Sequence, residues 1–183
     1  MKRLRFVTVL VLMLSVMIQT AGCGSNKESW AYNHDPSNEI ISLSDNGKAV
    51  YKGEKYSYTK DDEFITLKDS SGTELKLRYL IDGEEMTLYE KSTYDRSPEG
   101  PSEGLTGLWK QDNGWSFEFT KEGTFAEENI FFGHYTVNED DSTIKLMYDE
   151  PLQDAILYYS LDGDKLTIDY PWTLVHTTKG DAK

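Results

Sequence analysis

Three kinds of side chain in this sequence have the chemistry to do work: one thiol, three histidines and an abundance of carboxylates. Cys23 is the only cysteine among 183 residues. A lone thiol makes no disulfide within its chain, which leaves it as a nucleophile, a ligand or a point of attachment. His34, His134 and His176 are far apart in the chain, and none has the close His/Cys spacing that zinc sites use. The acidic groups Asp61-Asp62-Glu63 and Glu139-Asp140-Asp141 lack the ladder of oxygen ligands and the bend glycine of a calcium loop, so they read as solvated turns. A G-x-S-x-G string occurs at Gly100-Pro101-Ser102-Glu103-Gly104, but it sits in a proline- and glycine-rich stretch and not on the strand-to-helix turn that a nucleophile elbow needs, and H-E-x-x-H does not occur. Carboxylates are so numerous that no acid–base pair stands out. The expectation is a chain that is not an enzyme and that uses no metal and no cofactor.

The position of Cys23 is more informative than its reactivity. Lys2, Arg3 and Arg5 precede an apolar run from Phe6 to Ile18, interrupted only by Thr8 and Ser15. A basic start, a short apolar stretch and small residues beyond it make an export signal, and the run is shorter than the roughly 20 residues a comfortable membrane span needs. It leads into Thr20-Ala21-Gly22-Cys23. That tetrapeptide resembles the lipobox of bacterial lipoproteins, with Thr20 in place of the usual Leu. The resemblance implies a diacylglyceryl group on the Cys23 sulfur and cleavage just before it. Acyl chains contribute about 0.8 kcal/mol per buried methylene, so two or more of them make a stable anchor. Residues 1–22 are therefore read as a lipoprotein signal peptide, and residues 23–29 as the lipidated cysteine and a polar leash. The expected location is extracytoplasmic, on the cell membrane or outer envelope.

Loss of residues 1–22 removes three cations and no acid, taking the net charge from −13 to −16. Such a chain repels nucleic acid, which is excluded as a partner.

From residue 30 onward the apolar period is two. Glu74–Tyr79, Trp115–Phe119, Thr143–Tyr148 (apart from Met147) and Lys165–Tyr170 alternate, and Asn46-Gly47, Asp82-Gly83, Glu122-Gly123 and Asp162-Gly163 punctuate them. Alternation of this kind marks half-buried antiparallel strands joined by tight hairpins. The class is all-β.

The pattern occurs twice. Tyr79–Leu88 matches Tyr159–Ile168 at an offset of 80, Trp30 matches Trp109 at 79, and Gly47 matches Gly123 at 76. Between the copies, Ser92–Thr106 holds Pro98, Gly100, Pro101 and Gly104, too many breakers for a strand. The expected organisation is two tandem antiparallel up-and-down meanders, at 30–93 and 107–178, with a linker at 94–106 and a tail at 179–183. Turn spacing gives about seven strands in the first copy and eight in the second, where Lys165 and Trp172 begin separate strands. Consecutive hairpins close into barrels to remove their edges.

Gly107-Leu108-Trp109 opens the second copy, and Phe119–Phe125 follows as a hairpin. This is similar to lipocalins, which carry Gly-x-Trp on the first strand, and to short lipocalin-like domains of bacterial lipoproteins. Lipocalins usually lay an arginine from the last strand over that tryptophan, and the second copy contains no arginine. Each copy is also about half a lipocalin long, so the resemblance implies a small barrel without a ligand calyx.

Aromatic residues make up 13% of the chain, and most fall on the inward phase of their strands, where they fill small cores. Trp115, Trp172, Tyr158 and Tyr159 are the candidates for a pocket or for stacking on sugar rings. Phe131-Phe132 and Tyr158-Tyr159 are adjacent pairs, so one member of each is expected outside or between the copies. The reading of function is a lipid-anchored binding module for a small apolar or glycan ligand or an envelope protein; if the copies close separately, the groove between them is the ligand site, and if all of about fifteen strands form one larger barrel, its interior can hold a cavity. The alternative is an inhibitor or assembly factor that binds a basic envelope protein without a cavity.

Overall fold

The computed structural model describes residues 26–100 and 103–177. The signal peptide, Cys23 and the tail at 179–183 lie outside the described residues, as does all of the leash but Asn26–Ser29. Fourteen antiparallel strands form one meander sheet that closes in a ring, and no helix occurs among the described residues. They are β1 (Lys27–Tyr32), β2 (Glu39–Ser44), β3 (Lys48–Tyr51), β4 (Glu54–Lys60), β5 (Phe64–Lys68), β6 (Glu74–Asp82) and β7 (Glu85–Arg96), followed by β8 (Gly107–Lys110), β9 (Ser116–Phe119), β10 (Thr124–Glu127), β11 (Phe131–Asn138), β12 (Thr143–Tyr148), β13 (Ala155–Asp162) and β14 (Lys165–His176). The all-β class and the hairpin turns stand as read. Gly47, Gly83, Gly123 and Gly163 all have φ between 58° and 79°, the left-handed region those turns require.

The strand count differs from the sequence reading in one place. Lys165 and Trp172 do not begin two strands; they belong to the single twelve-residue β14. Pro171 breaks nothing there because β14 is paired to β13 through Lys165–Asp169 and to β1 through Leu174–His176. Between these stretches that edge of the strand has no ladder for a missing N–H to interrupt. β7 is equally long and runs through Tyr94–Arg96, three residues into the stretch read as linker. β1 likewise starts at Lys27, inside the stretch read as leash.

β7 and β14 pair with each other from Glu85↔Val175 to Lys165↔Asp95. This ribbon crosses the ring and divides its pairing into two circuits. At one end β6 flanks β7 and β1 flanks β14; at the other β8 flanks β7 and β13 flanks β14. Two apolar clusters fill the circuits. The first joins Trp30, Ile41, Ile65, Leu67, Leu77, Met86 and Leu88 to Leu174 of β14. The second joins Trp109, Phe117, Phe119, Phe125, Ile144, Leu146 and Leu157 to Tyr94 of β7. Burial of each large side chain contributes about 2 kcal/mol, so each cluster depends on a residue delivered by the far end of the shared ribbon.

The ends of the ribbon close over the two tryptophans. Arg96, at the end of β7, holds its guanidinium 4.1 Å from the Trp109 ring. It donates to the carbonyls of Thr106 at 2.8 Å and Gly104 at 2.7 Å. His176, at the end of β14, stacks on Trp30 with ring centroids 3.7 Å apart. The arginine that lies over Trp109 thus comes from β7.

Candidate functional site

Side chains on one face of the ribbon alternate with those on the other, and the inner face can be followed along both strands. On β7 it runs Met86, Leu88, Glu90, Ser92, Tyr94; on β14 it runs Leu166, Ile168, Tyr170, Trp172, Leu174. The two ends of each row are buried in the apolar clusters. The middle is not apolar on β7, and there Glu90, Ser92, Tyr170 and Trp172 line a cavity of about 590 Å³. That volume falls in the range of small-ligand sites. Lys52 from the β3–β4 turn, Tyr94 of β7 and residues of β10–β12 and the nearby turns, among them Glu127 and Tyr148, build the rest of the wall, with Trp115, Phe131 and Leu152 at the rim.

Glu127 is the buried charge-bearing group of the site, 5% exposed. It ends β10, where a tight turn reverses the chain: Ile130 N donates to Glu127 O at 3.0 Å, and the two central residues Glu128 and Asn129 both have φ of 54°. Neither is glycine, so the turn is held in a costly conformation by its surroundings, among them a hydrogen bond from Ser116 N to the Glu128 carboxylate. Tyr148 O–H donates to Glu127 Oε2, and the Tyr148 and Tyr170 hydroxyls lie 3.2 Å apart. Burial raises the Glu127 carboxyl above the ordinary carboxylate range, the Tyr148 hydrogen bond pulls it part of the way back, and the Glu128 charge raises it again. Burial, and then the Glu127 charge, raise the Tyr94, Tyr148 and Tyr170 phenols. These tyrosines therefore stay neutral donors at physiological pH.

A second carboxylate stands across the mouth in a different state. Glu90 Oε1 accepts from Tyr32 at 3.0 Å and from Tyr51 at 3.2 Å, while Lys52 Nζ donates to Oε2 at 2.8 Å. Its oxygens are occupied and its charge is matched. Glu90 is tied to Lys52 and Glu128 to Ser116 N, so neither is placed to act on a bound group together with Glu127. The arrangement suits binding better: aromatic walls, a few directed polar groups and a rim of exposed apolar side chains. Trp115 is 45% exposed, Phe131 40%, Leu152 44% and Ile130, next to Phe131, 67%. A cluster of this kind at a cavity mouth marks a contact surface.

The sequence candidates divide between this site and other places. Trp115 and Trp172 meet at the cavity. Tyr158 and Tyr159 do not; they line an open groove with Glu63, Arg78 and Asp141, whose walls are charged and hydroxylic. Both are half-buried, and both Phe131 and Phe132 are exposed, because Phe131 turns to the cavity rim and Phe132 to the outside. The three histidines lie on separate elements: His34 stacked on Tyr32, His134 exposed on β11 and His176 on Trp30. Among the described residues no group of three or more metal-ligating side chains comes together. Asp61 and Asn138 accept from the backbone of their own turns, Asp61 Oδ1 from Glu63 N and Phe64 N and Asn138 Oδ1 from Asp140 N and Asp141 N. Both acidic groups are therefore turn structure. Glu90, Glu127, Tyr148 and Tyr170 were missed. Their signal was the polar break at Glu90 and Ser92 in an otherwise apolar phase.

The comparisons with known proteins add no relative: no family model matches the chain, and no curated protein or solved structure matches it.

Proposed function

We propose that this chain is an exported lipoprotein, anchored through Cys23, whose β-structure is a non-enzymatic binding module for a small ligand with an apolar or sugar-ring face. The observation that carries this reading is the cavity of about 590 Å³ beside the β7–β14 ribbon, walled by aromatic side chains and rimmed by Trp115. Drug-sized ligands occupy cavities of this kind. The architecture is read as two lipocalin-like repeats that have exchanged the ends of their last strands. Three correspondences support that: Trp30 with Trp109, β7 with β14, and the two caps of Arg96 on Trp109 and His176 on Trp30. The exchange leaves a gap between the two cores, and the ligand fills it. The anchor keeps the module at the membrane, and the acidity of the chain holds it off anionic headgroups.

The test has two parts. Cys23→Ala is expected to move the protein out of the membrane fraction with its far-UV circular dichroism unchanged. Titration with an organic extract of the envelope is expected to quench tryptophan fluorescence saturably in the parent and not in Trp115→Ala. Retention of Cys23→Ala in the membrane sinks the anchor; a response that ignores Trp115 sinks the site.

A second reading rests on the exposed Ile130, Phe131 and Phe132 at the β10–β11 turn. An inhibitor or assembly factor would dock a basic envelope protein there, steered by the net acidity. Alanine at Ile130 and Phe132, neither of which lines the cavity, would abolish that docking while leaving small-molecule binding intact.

A further inference from the structure

The two tight turns facing the cavity make a controlled comparison within one chain. Tyr51-Lys52-Gly53-Glu54 joins β3 to β4, and Glu127-Glu128-Asn129-Ile130 joins β10 to β11, 76 residues later. Both place their central residues at positive φ: Lys52 at 49° and Gly53 at 84°, Glu128 and Asn129 at 54°. Position by position, Tyr51 corresponds to Glu127 and Lys52 to Glu128. On the ribbon, Glu90 corresponds to Tyr170 at the offset of 80. In the first half Tyr51 donates to the Glu90 carboxylate; in the second the two residue types are exchanged, and Tyr148 links the Glu127 carboxylate to the Tyr170 hydroxyl.

The halves differ in the cation. In the first, Lys52 Nζ sits 2.8 Å from the Glu90 carboxylate. In the second, the residue in Lys52's place is itself an acid, and among the described residues Tyr148 is the one hydrogen-bond partner of the Glu127 carboxylate. Lys52 is already engaged with Glu90, so it does not serve both. A carboxylate that is 5% exposed, holds one neutral donor and faces aromatic rings is an incomplete pair. The faces of Trp115, Trp172, Tyr148 and Tyr170 attract a cation and repel an anion, and an acidic chain raises the local concentration of cations.

We propose that the cavity takes an organic cation, its ammonium group on Glu127 in the place that Lys52 holds on Glu90, and its apolar body against Trp115 and Trp172. This inference rests on the reading of the cavity as a ligand site and names the class of ligand. Neither a neutral sugar nor a fatty acid supplies what Glu127 lacks; an amine or a quaternary ammonium does.

The full chain, carried in nanodiscs of neutral phosphatidylcholine, is titrated with three probes of one shape: phenethylammonium, 2-phenylethanol and phenylacetate. Tryptophan fluorescence reports binding. The expected order is ammonium tighter than alcohol by about tenfold, the premium of a charged over a neutral hydrogen bond, with phenylacetate weakest. Glu127→Gln, which keeps an acceptor for Tyr148, is expected to bring the ammonium down to the alcohol's affinity. Glu128→Lys, which copies Lys52, is expected to do the same by occupying Glu127, and it keeps the test alive if Glu127→Gln folds poorly. Equal binding of all three probes overturns the cation assignment and leaves the cavity standing as a ligand site. An ammonium preference that survives both substitutions overturns the role of Glu127. No saturable response to any probe overturns the assignment together with the reading beneath it.

Discussion

Removal of the Arg96 side chain tests whether β7 truly closes the far half of the molecule. The arginine side chain is 8% exposed, whereas its ion-pair partner Asp164 is 83% exposed. An exposed pair contributes little, so the weight falls on the other contacts. Two charge-assisted hydrogen bonds to the carbonyls of Thr106 and Gly104 contribute about 1.5 kcal/mol each. The guanidinium on the Trp109 face adds about 1 kcal/mol. Water reaches the exposed Gly104 carbonyl when the arginine is gone and recovers part of this, so Arg96→Ala is expected to cost about 3 kcal/mol. With a urea slope of about 2 kcal/mol per molar, the unfolding midpoint drops by roughly 1.5 M. Arg96→Lys keeps the charge and loses the fork, and falls between. Asp164→Ala is the control, expected within about 0.5 kcal/mol of the parent. The assay is urea unfolding followed by tryptophan fluorescence, where Trp109 also reports the loss of its lid. Equal midpoints for Arg96→Ala and Asp164→Ala would refute the reasoning, because the guanidinium would then not be packed on Trp109.

Three further outcomes follow from the same contacts. A Cβ at Gly133 would meet the Met147 carbonyl oxygen at 2.1 Å and the Phe125 ring at 2.9 Å; backbone does not yield cheaply, so Gly133→Ala is expected to cost about 3 kcal/mol in urea unfolding. Glu127 has its folded carboxyl raised above the ordinary value of 4.5, so its ionisation lowers stability as pH rises through and above that value. Glu127→Gln removes this and is expected to be more stable than the parent at pH 7, with the advantage gone by pH 4; calorimetry at the two pH values decides, and a pH-independent difference would contradict it. Because Leu174 completes the first cluster and Tyr94 the second, unfolding is expected to be one transition whether followed by fluorescence or circular dichroism, and two separate transitions would show cores that stand alone.

Period-two alternation and glycine turns made the all-β class legible, since both are local properties of a strand and its hairpin. What local pattern could not carry was the partner of each strand's second edge. Lys165–His176 reads as two strands because Pro171 interrupts it, yet a proline is harmless where an edge is free. Ser92–Thr106 reads as a connection because its breakers begin at Pro98, yet Tyr94 and Arg96 precede them and extend β7 into the second half. The arginine over Trp109 is the same lesson: Arg96 lies 13 residues before Trp109 in sequence, in the stretch read as linker, so counting within residues 107–178 never finds it. Trp115 and Trp172 were recognisable as candidates by type. Glu127 was not, because an acid at the end of a strand before a turn looks like solvated surface until the fold buries it.

The central claim is that the space beside the β7–β14 ribbon holds a ligand. The most direct measurement is native mass spectrometry of the full chain, taken from its own envelope and released from nanodiscs, beside a Ser92→Trp variant that fills the space. The account predicts a reproducible adduct of roughly a few hundred daltons on the parent and none on the variant. The same adduct on both proteins, or bare mass on both after exposure to the envelope extract, would contradict it.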